Sequence, residues 1–233
     1  MLPARRSSQV LRATAFWLFL GGAAGAAGDE LADTLARMDA TAARFKSLTA
    51  DIRKVSHTAV INEDTADTGT IYVKRPKPND LRMRIDIQPP NPKQAEFSGH
   101  VVQIYYPKSN TVEEYDLGKE KGMIDQFLLL GFGSRVRDLQ DAYTIRLGGD
   151  ETVNGEKTVR IELTPKSPDV LAHLKEVELW IDARGEAIQQ KFYEPGGDYS
   201  VATYSNMKTD VNLPDSSVKL NLPRDVHRQR PQK

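Results

Sequence analysis

Catalysis needs nucleophiles, bases or metal ligands at workable spacing, and the side chains here offer few such arrangements. No cysteine occurs, which excludes thiol catalysis and thiolate metal sites. His57, His100, His173 and His227 are scattered, with no helical ligand spacing and no His-Glu-x-x-His. Each reads as a surface or loop histidine. Glu113-Glu114, and Glu176 with Glu178, could be imagined as a glycosidase pair, which requires carboxylates roughly 5 to 10 Å apart across a cleft. On strands they read instead as a solvated face. Gly131-Phe132-Gly133 and Gly148-Gly149 lack the strand-turn-helix setting of a phosphate loop and read as breakers. The expectation is a protein that is not an enzyme and takes no metal and no cofactor.

One polar side chain stands out by position. In Gly69-Thr70-Ile71-Tyr72-Val73-Lys74-Arg75-Pro76, period two puts Arg75 on the same face as Ile71 and Val73. A guanidinium on an apolar face must find acceptors. Its five donors suit several backbone carbonyls at once, such as those at the ends of covering helices, and Arg75 would then be a latch. The alternative is a strand that ends at Lys74, with Arg75 turned to solvent ahead of Pro76.

The elements around it are mostly strands. Leu31, Leu35, Met38, Ala42 and Phe45 alternate spacings of four and three, the stripe of an amphipathic helix from Asp29 to Lys46. Thereafter the period is two. Leu81, Met83, Ile85 and Ile87 alternate with charged residues, as do Val159, Ile161 and Leu163; Tyr143, Ile145 and Leu147 repeat the period, and Val177, Leu179 and Ile181 stand against Glu176 and Glu178. Turn signals separate these runs, the strongest being Asn154-Gly155, which suits a type I′ hairpin. About ten strands in meander order are expected. An apolar helical piece, Met123 to Leu130, interrupts them before Gly131, and a second short helix should carry Val136 and Leu139.

At the N-terminus, Arg5, Arg6 and Arg12, the apolar stretch Ala13 to Leu20 and the small residues Gly21 to Gly28 have the form of a secretory signal. Its apolar core is about half the roughly 20 residues a spanning helix needs. Cleavage is expected after Ala26 or Gly28. Loss of those three arginines tips the balance of 32 basic and 32 acidic residues to a net charge of −3. No basic footprint for nucleic acid remains. The expected organisation is a signal peptide over 1–28, one soluble domain over 29–223, and a flexible tail over 224–233.

Ten strands with apolar inner faces exceed what one long and two short helices can cover. A sheet that curls toward a barrel resolves this and can enclose a ligand. An acyl chain suits such a pocket, since each buried methylene contributes about 0.8 kcal/mol. A fully packed β-sandwich without a cavity is the alternative.

The Gly69 to Pro76 segment, with its Val73-Lys74-Arg75-Pro76 ending, resembles a strand of the LolA family, periplasmic carriers of lipoproteins between inner and outer membranes. Further similar pieces follow in order: the helix and strand Leu31 to Val55, the Gly-x-x-x-x-x-Tyr-x-Pro pattern of Gly99 to Pro107, Leu163 to Lys166, and a closing strand at Val218 to Pro223. Two departures are Lys77 to Leu81 in place of an aromatic-rich stretch, and Gln103 in place of an aromatic. The resemblance implies a mainly β (α+β) fold, a half-open antiparallel β-barrel of about ten to eleven strands with a helical lid. Arg75 would latch the lid when the cavity is empty. Cavity residues would be Ile71, Val73, Met83, Ile85, Val102, Ile104, Ile124, Phe127, Leu128, Ile145, Ile161 and Leu179. The implied ligands are lipoprotein acyl chains, received by a monomeric periplasmic protein from an inner-membrane ABC transporter and passed to an outer-membrane lipoprotein receptor. The alternative within the family is a lipid-binding or lipoprotein-sensing regulatory module.

Overall fold

The computed structural model describes residues 23–78, 80–118 and 130–231. Helix α1, Ala23–Arg44, starts six residues before the expected Asp29 because the alanine-rich tract ahead of it favours helix. Its stripe of Leu35, Met38 and Ala42 is buried, and Phe45 just beyond the helix joins the same core. Asp39 of α1 accepts a bond from the Val136 N–H at 3.0 Å, which caps the short helix α2, Val136–Ala142. That helix was expected from Val136 and Leu139. The larger apolar piece that should precede it, Met123 to Leu129, lies outside the described residues.

The strands are β1 (Ser47–Thr58), β2 (Glu63–Lys77), β3 (Asp80–Ile87), β4 (Lys93–Ser98), β5 (Val101–Tyr106), β6 (Thr111–Asp116), β7 (Tyr143–Val153), β8 (Glu156–Pro165), β9 (Glu176–Ile181), β10 (Ala187–Tyr193), β11 (Tyr199–Thr209) and β12 (His227–Gln229). They form one sheet of twelve in the order β12-β6-β5-β4-β3-β2-β1-β11-β10-β9-β8-β7, so the expected ten to eleven is an undercount. Pairing is antiparallel except between β12 and β6. Strands β12 and β7 stand at opposite ends and do not pair, so the barrel is open. The Asn154-Gly155 turn has positive φ at both residues, 51° and 82°, as a type I′ hairpin requires.

Two elements differ from expectation. A four-residue helix α3, Pro168–Leu171, follows β8; its signal was Ser167 before Pro168, a pairing suited to a helix start. Val218 to Pro223 does not form the closing strand. Val218 ends a 3₁₀ turn, Asp215–Val218, and the last strand lies at His227–Gln229, within the tail.

Strand alternation sends Ile71, Val73, Met83 and Ile85 to the inner face and Lys74, Arg82 and Arg84 to the outer one. A strap of chain after β11 crosses that outer face. Lys74 donates to the Leu213 carbonyl at 2.7 Å, Arg84 to the Lys219 carbonyl at 2.9 Å, and the Leu220 N–H to Glu96 at 2.6 Å. It ends on β6, where the His227 N–H reaches the Asn110 carbonyl at 2.9 Å and Arg230 pairs with Glu114 at 2.8 Å.

Candidate functional site

Arg75 sits where β2 leaves regular pairing with β3, between Lys74 and Lys77. Pro76 has no N–H to give a ladder, which accounts for the irregularity. The strand therefore continues past Lys74, and Arg75 is partly buried rather than turned to solvent. Its Nη2 donates to the carbonyls of Ala42 at 2.7 Å and Phe45 at 3.0 Å, and its Nη1 to that of Gly133 at 2.8 Å. The guanidinium also lies 5.3 Å from the Phe45 ring centroid. The Ala42 carbonyl belongs to the unpaired last turn of α1, where the helix dipole favours a cation. Burial, then the neighbouring Arg135, lowers the Arg75 pKa from its ordinary value. One side chain thus joins the end of α1 to the segment that leads into α2.

That segment, Leu130 to Gly133, is fastened to the sheet at further points that the sequence reading missed. Gln190 of β10, buried on the inner face, donates to the Leu130 carbonyl and accepts from the Tyr204 hydroxyl at 3.2 Å. Ala187 N–H donates to the Gly131 carbonyl at 3.0 Å. The Phe132 ring meets Tyr204 edge-on at 4.9 Å. Gly131 has φ +79°, and a Cβ there would stand 2.4 Å from the Cβ of Ala187, so only glycine lets the segment lie this close. A buried glutamine among apolar residues is the signal that would have found Gln190, since it must be hydrogen-bonded.

Between the inner face and the short helices lies a cavity of about 1380 Å³, larger than the roughly 300–1,000 Å³ of ordinary small-molecule pockets. Ile71, Met83 and Ile85 line it, as the sequence suggested for them. So do Ile52, Tyr143, Val170, Leu174, Phe192, Ala202 and Tyr204, which were not singled out. Val73, Ile161 and Leu179 are fully buried in the core instead, and Ile145 packs against it. Val102 is buried and Ile104 half-buried on β5, away from this cavity. Ile124, Phe127 and Leu128 lie outside the described residues. Polar residues stand at the rim, including Lys54, Asp169, His173 and Glu194.

The carboxylates considered as possible acid–base pairs are engaged in other bonds, and Glu113 and Glu114 point to opposite faces of the sheet. Glu178 is not solvated as expected but buried, held by Arg160 at 2.7 Å and the Tyr193 hydroxyl at 2.9 Å. Glu113 accepts from Tyr106 and Tyr115, and Glu114 from Gln103 and Arg230. Among the described residues no group of three or more His, Asp or Glu is placed to hold a metal ion.

The family model described as outer membrane lipoprotein carrier protein LolA matches residues 43–220, from the end of α1 to the strap. The chain belongs to the LolA family. Its open β architecture recurs in solved structures that share the LolA-like fold. An uncharacterised conserved protein of Thermus thermophilus superposes with a TM-score of 0.54 at 13% identity, covering 87% of this chain and 99% of that one. MucB superposes with a TM-score of 0.50 at 17% identity, covering 84% of this chain and 63% of that one. The Mycobacterium tuberculosis lipoprotein LppX gives 0.47 at 13%, covering 80% and 99%. No curated protein matches the chain in sequence.

Proposed function

We propose that this LolA-family chain is a periplasmic carrier that holds lipoprotein acyl chains in the cavity and moves them from the inner to the outer membrane, without chemistry on its cargo. The observation that carries this reading is the apolar cavity itself, bounded by Ile52, Ile71, Met83, Ile85 and Phe192 and by helices tied through Arg75. Each methylene it takes from water contributes about 0.8 kcal/mol. In this reading Arg75 holds the helices over an empty cavity and lets go as acyl chains enter. An inner-membrane ABC transporter supplies the cargo and an outer-membrane receptor removes it. The export signal over 1–28 fits that compartment.

Mass spectrometry of the protein extracted from periplasm should find acylated lipoproteins bound, and a fluorescent hydrophobic probe should compete with them. No co-purified acyl group and no probe binding would end the carrier reading. A second reading, a lipid-binding regulatory module, is motivated by MucB, whose fold this chain shares and which has been solved in complex with MucA. It predicts that bound lipid changes affinity for a protein partner and is never passed to an acceptor membrane.

A further inference from the structure

We propose that the tip of the β1–β2 hairpin, Val60 and Ile61, is a lipid-surface contact that sets the open end of the cavity against a bilayer of zwitterionic lipid. Among the described residues the large apolar side chains left exposed are Val60 at 92%, Ile61 at 61% and Leu171 at 37%. The first two form the apex of a turn closed by the Asn62 N–H on the Ala59 carbonyl at 3.2 Å, with Asn62 at φ +51°. Such an apex is ordinarily glycine, proline, asparagine or aspartate. Two β-branched apolar residues there give the fold nothing, and a local rule broken without structural gain points to function.

The tip is held rather than frayed. Strands β1 and β2 pair up to Thr58 and Glu63, and the Ala59 N–H donates to Asp198 in the β10–β11 turn at 2.8 Å. Its direction matters as well. Lys54, Glu194 and Ser200 line the cavity, and Ser200 pairs with Ser56. Val60 lies four residues further along the same hairpin, where β1 runs on for two residues, about 7 Å at strand rise, before the turn. Leu171 belongs to α3, whose Val170 also lines the cavity. Exposed apolar side chains thus flank the cavity on two of its elements.

Two side chains cover far less than the roughly 800 Å² per partner of a stable protein interface, whereas insertion into a bilayer needs only the side chains themselves. Charge narrows the surface. Glu63, Asp64 and Asp198 surround the tip, and His57 is already bonded to Asp64 at 2.7 Å. An anionic surface would repel this collar. Contact through so little apolar area is weaker than that of one myristoyl chain, itself marginal and reversible. It lets the protein touch and leave.

Sedimentation of the purified protein with phosphatidylcholine vesicles tests this without any cargo, so it can fail while the carrier reading stands, and the reverse. The Val60→Ser/Ile61→Ser double variant should partition at least about tenfold less than wild type, with unchanged melting temperature and probe affinity in the cavity. Emission of an Ile61→Trp variant should be quenched by brominated lipid. Equal partition of wild type and double variant would overturn the proposal. So would wild-type binding that needs anionic lipid and vanishes in high salt, or a double variant that binds vesicles normally yet fails only with a protein acceptor.

Discussion

Arg75 directs three hydrogen bonds to three backbone carbonyls: Ala42 and Phe45 at the end of α1, and Gly133 ahead of α2. Replacing it with leucine keeps bulk and removes every one of these bonds, leaving partly buried acceptors that cost about 1–3 kcal/mol each to strand. Arg75→Leu should therefore weaken the closed arrangement, keep cargo in the cavity and stop its release to the receptor. Arg75→Lys should recover only part of the release, since one ammonium cannot span three carbonyls in the planar fork that arginine offers. Transfer assays with a labelled lipoprotein check both; wild-type transfer by Arg75→Leu would refute the latch. Gln190 ties Leu130 to the sheet independently of Arg75.

The position of α1 depends on a close backbone contact with the sheet. Gly185, in the β9–β10 turn at φ +85°, approaches the helix so closely that a Cβ would lie 2.5 Å from the Arg37 carbonyl carbon and oxygen, while Thr41 donates to the Arg184 carbonyl at 2.7 Å. Gly185→Ala should destabilise by about 2–4 kcal/mol through backbone strain and clash, lowering Tm by roughly 5–15 °C. Gly196→Ala, whose Cβ meets nothing within 4 Å, should leave Tm unchanged. Thermal unfolding of the two variants side by side is the measurement. Elements of this kind were legible where one-dimensional period and burial agree, as in Leu81 to Ile87 or the Asn154-Gly155 hairpin. They were not legible where a contact is made by residues far apart in the chain. Phe192 escaped because Gln190 interrupts the apolar period of β10, and α3 is too short to show any period. Likewise β12 is exposed along its whole length, so no hydrophobic pattern marks it.

At the scale of the whole molecule, the open sheet leaves its two flanks unequally restrained. The strap from Leu213 to Gln229 is bonded across β2, β3, β4 and the start of β6. The outer face of β7 to β10 is instead bonded strand to strand, Arg160 to Glu151 and to Glu178, and Tyr193 to Glu178, with no bond to the strap among the described residues. Hydrogen exchange should register the difference: loading the cavity with a hydrophobic probe should alter protection in β7 to β10 and the helices, and leave β2 to β4 as they were. An equal change on both flanks would contradict it. The C-terminal strap then amounts to a splint on one jaw of a clasp. Swelling to admit a chain would be taken up by the other jaw alone, and the Val60-Ile61 tip, which springs from the splinted side, would keep its aim while the cavity changes size.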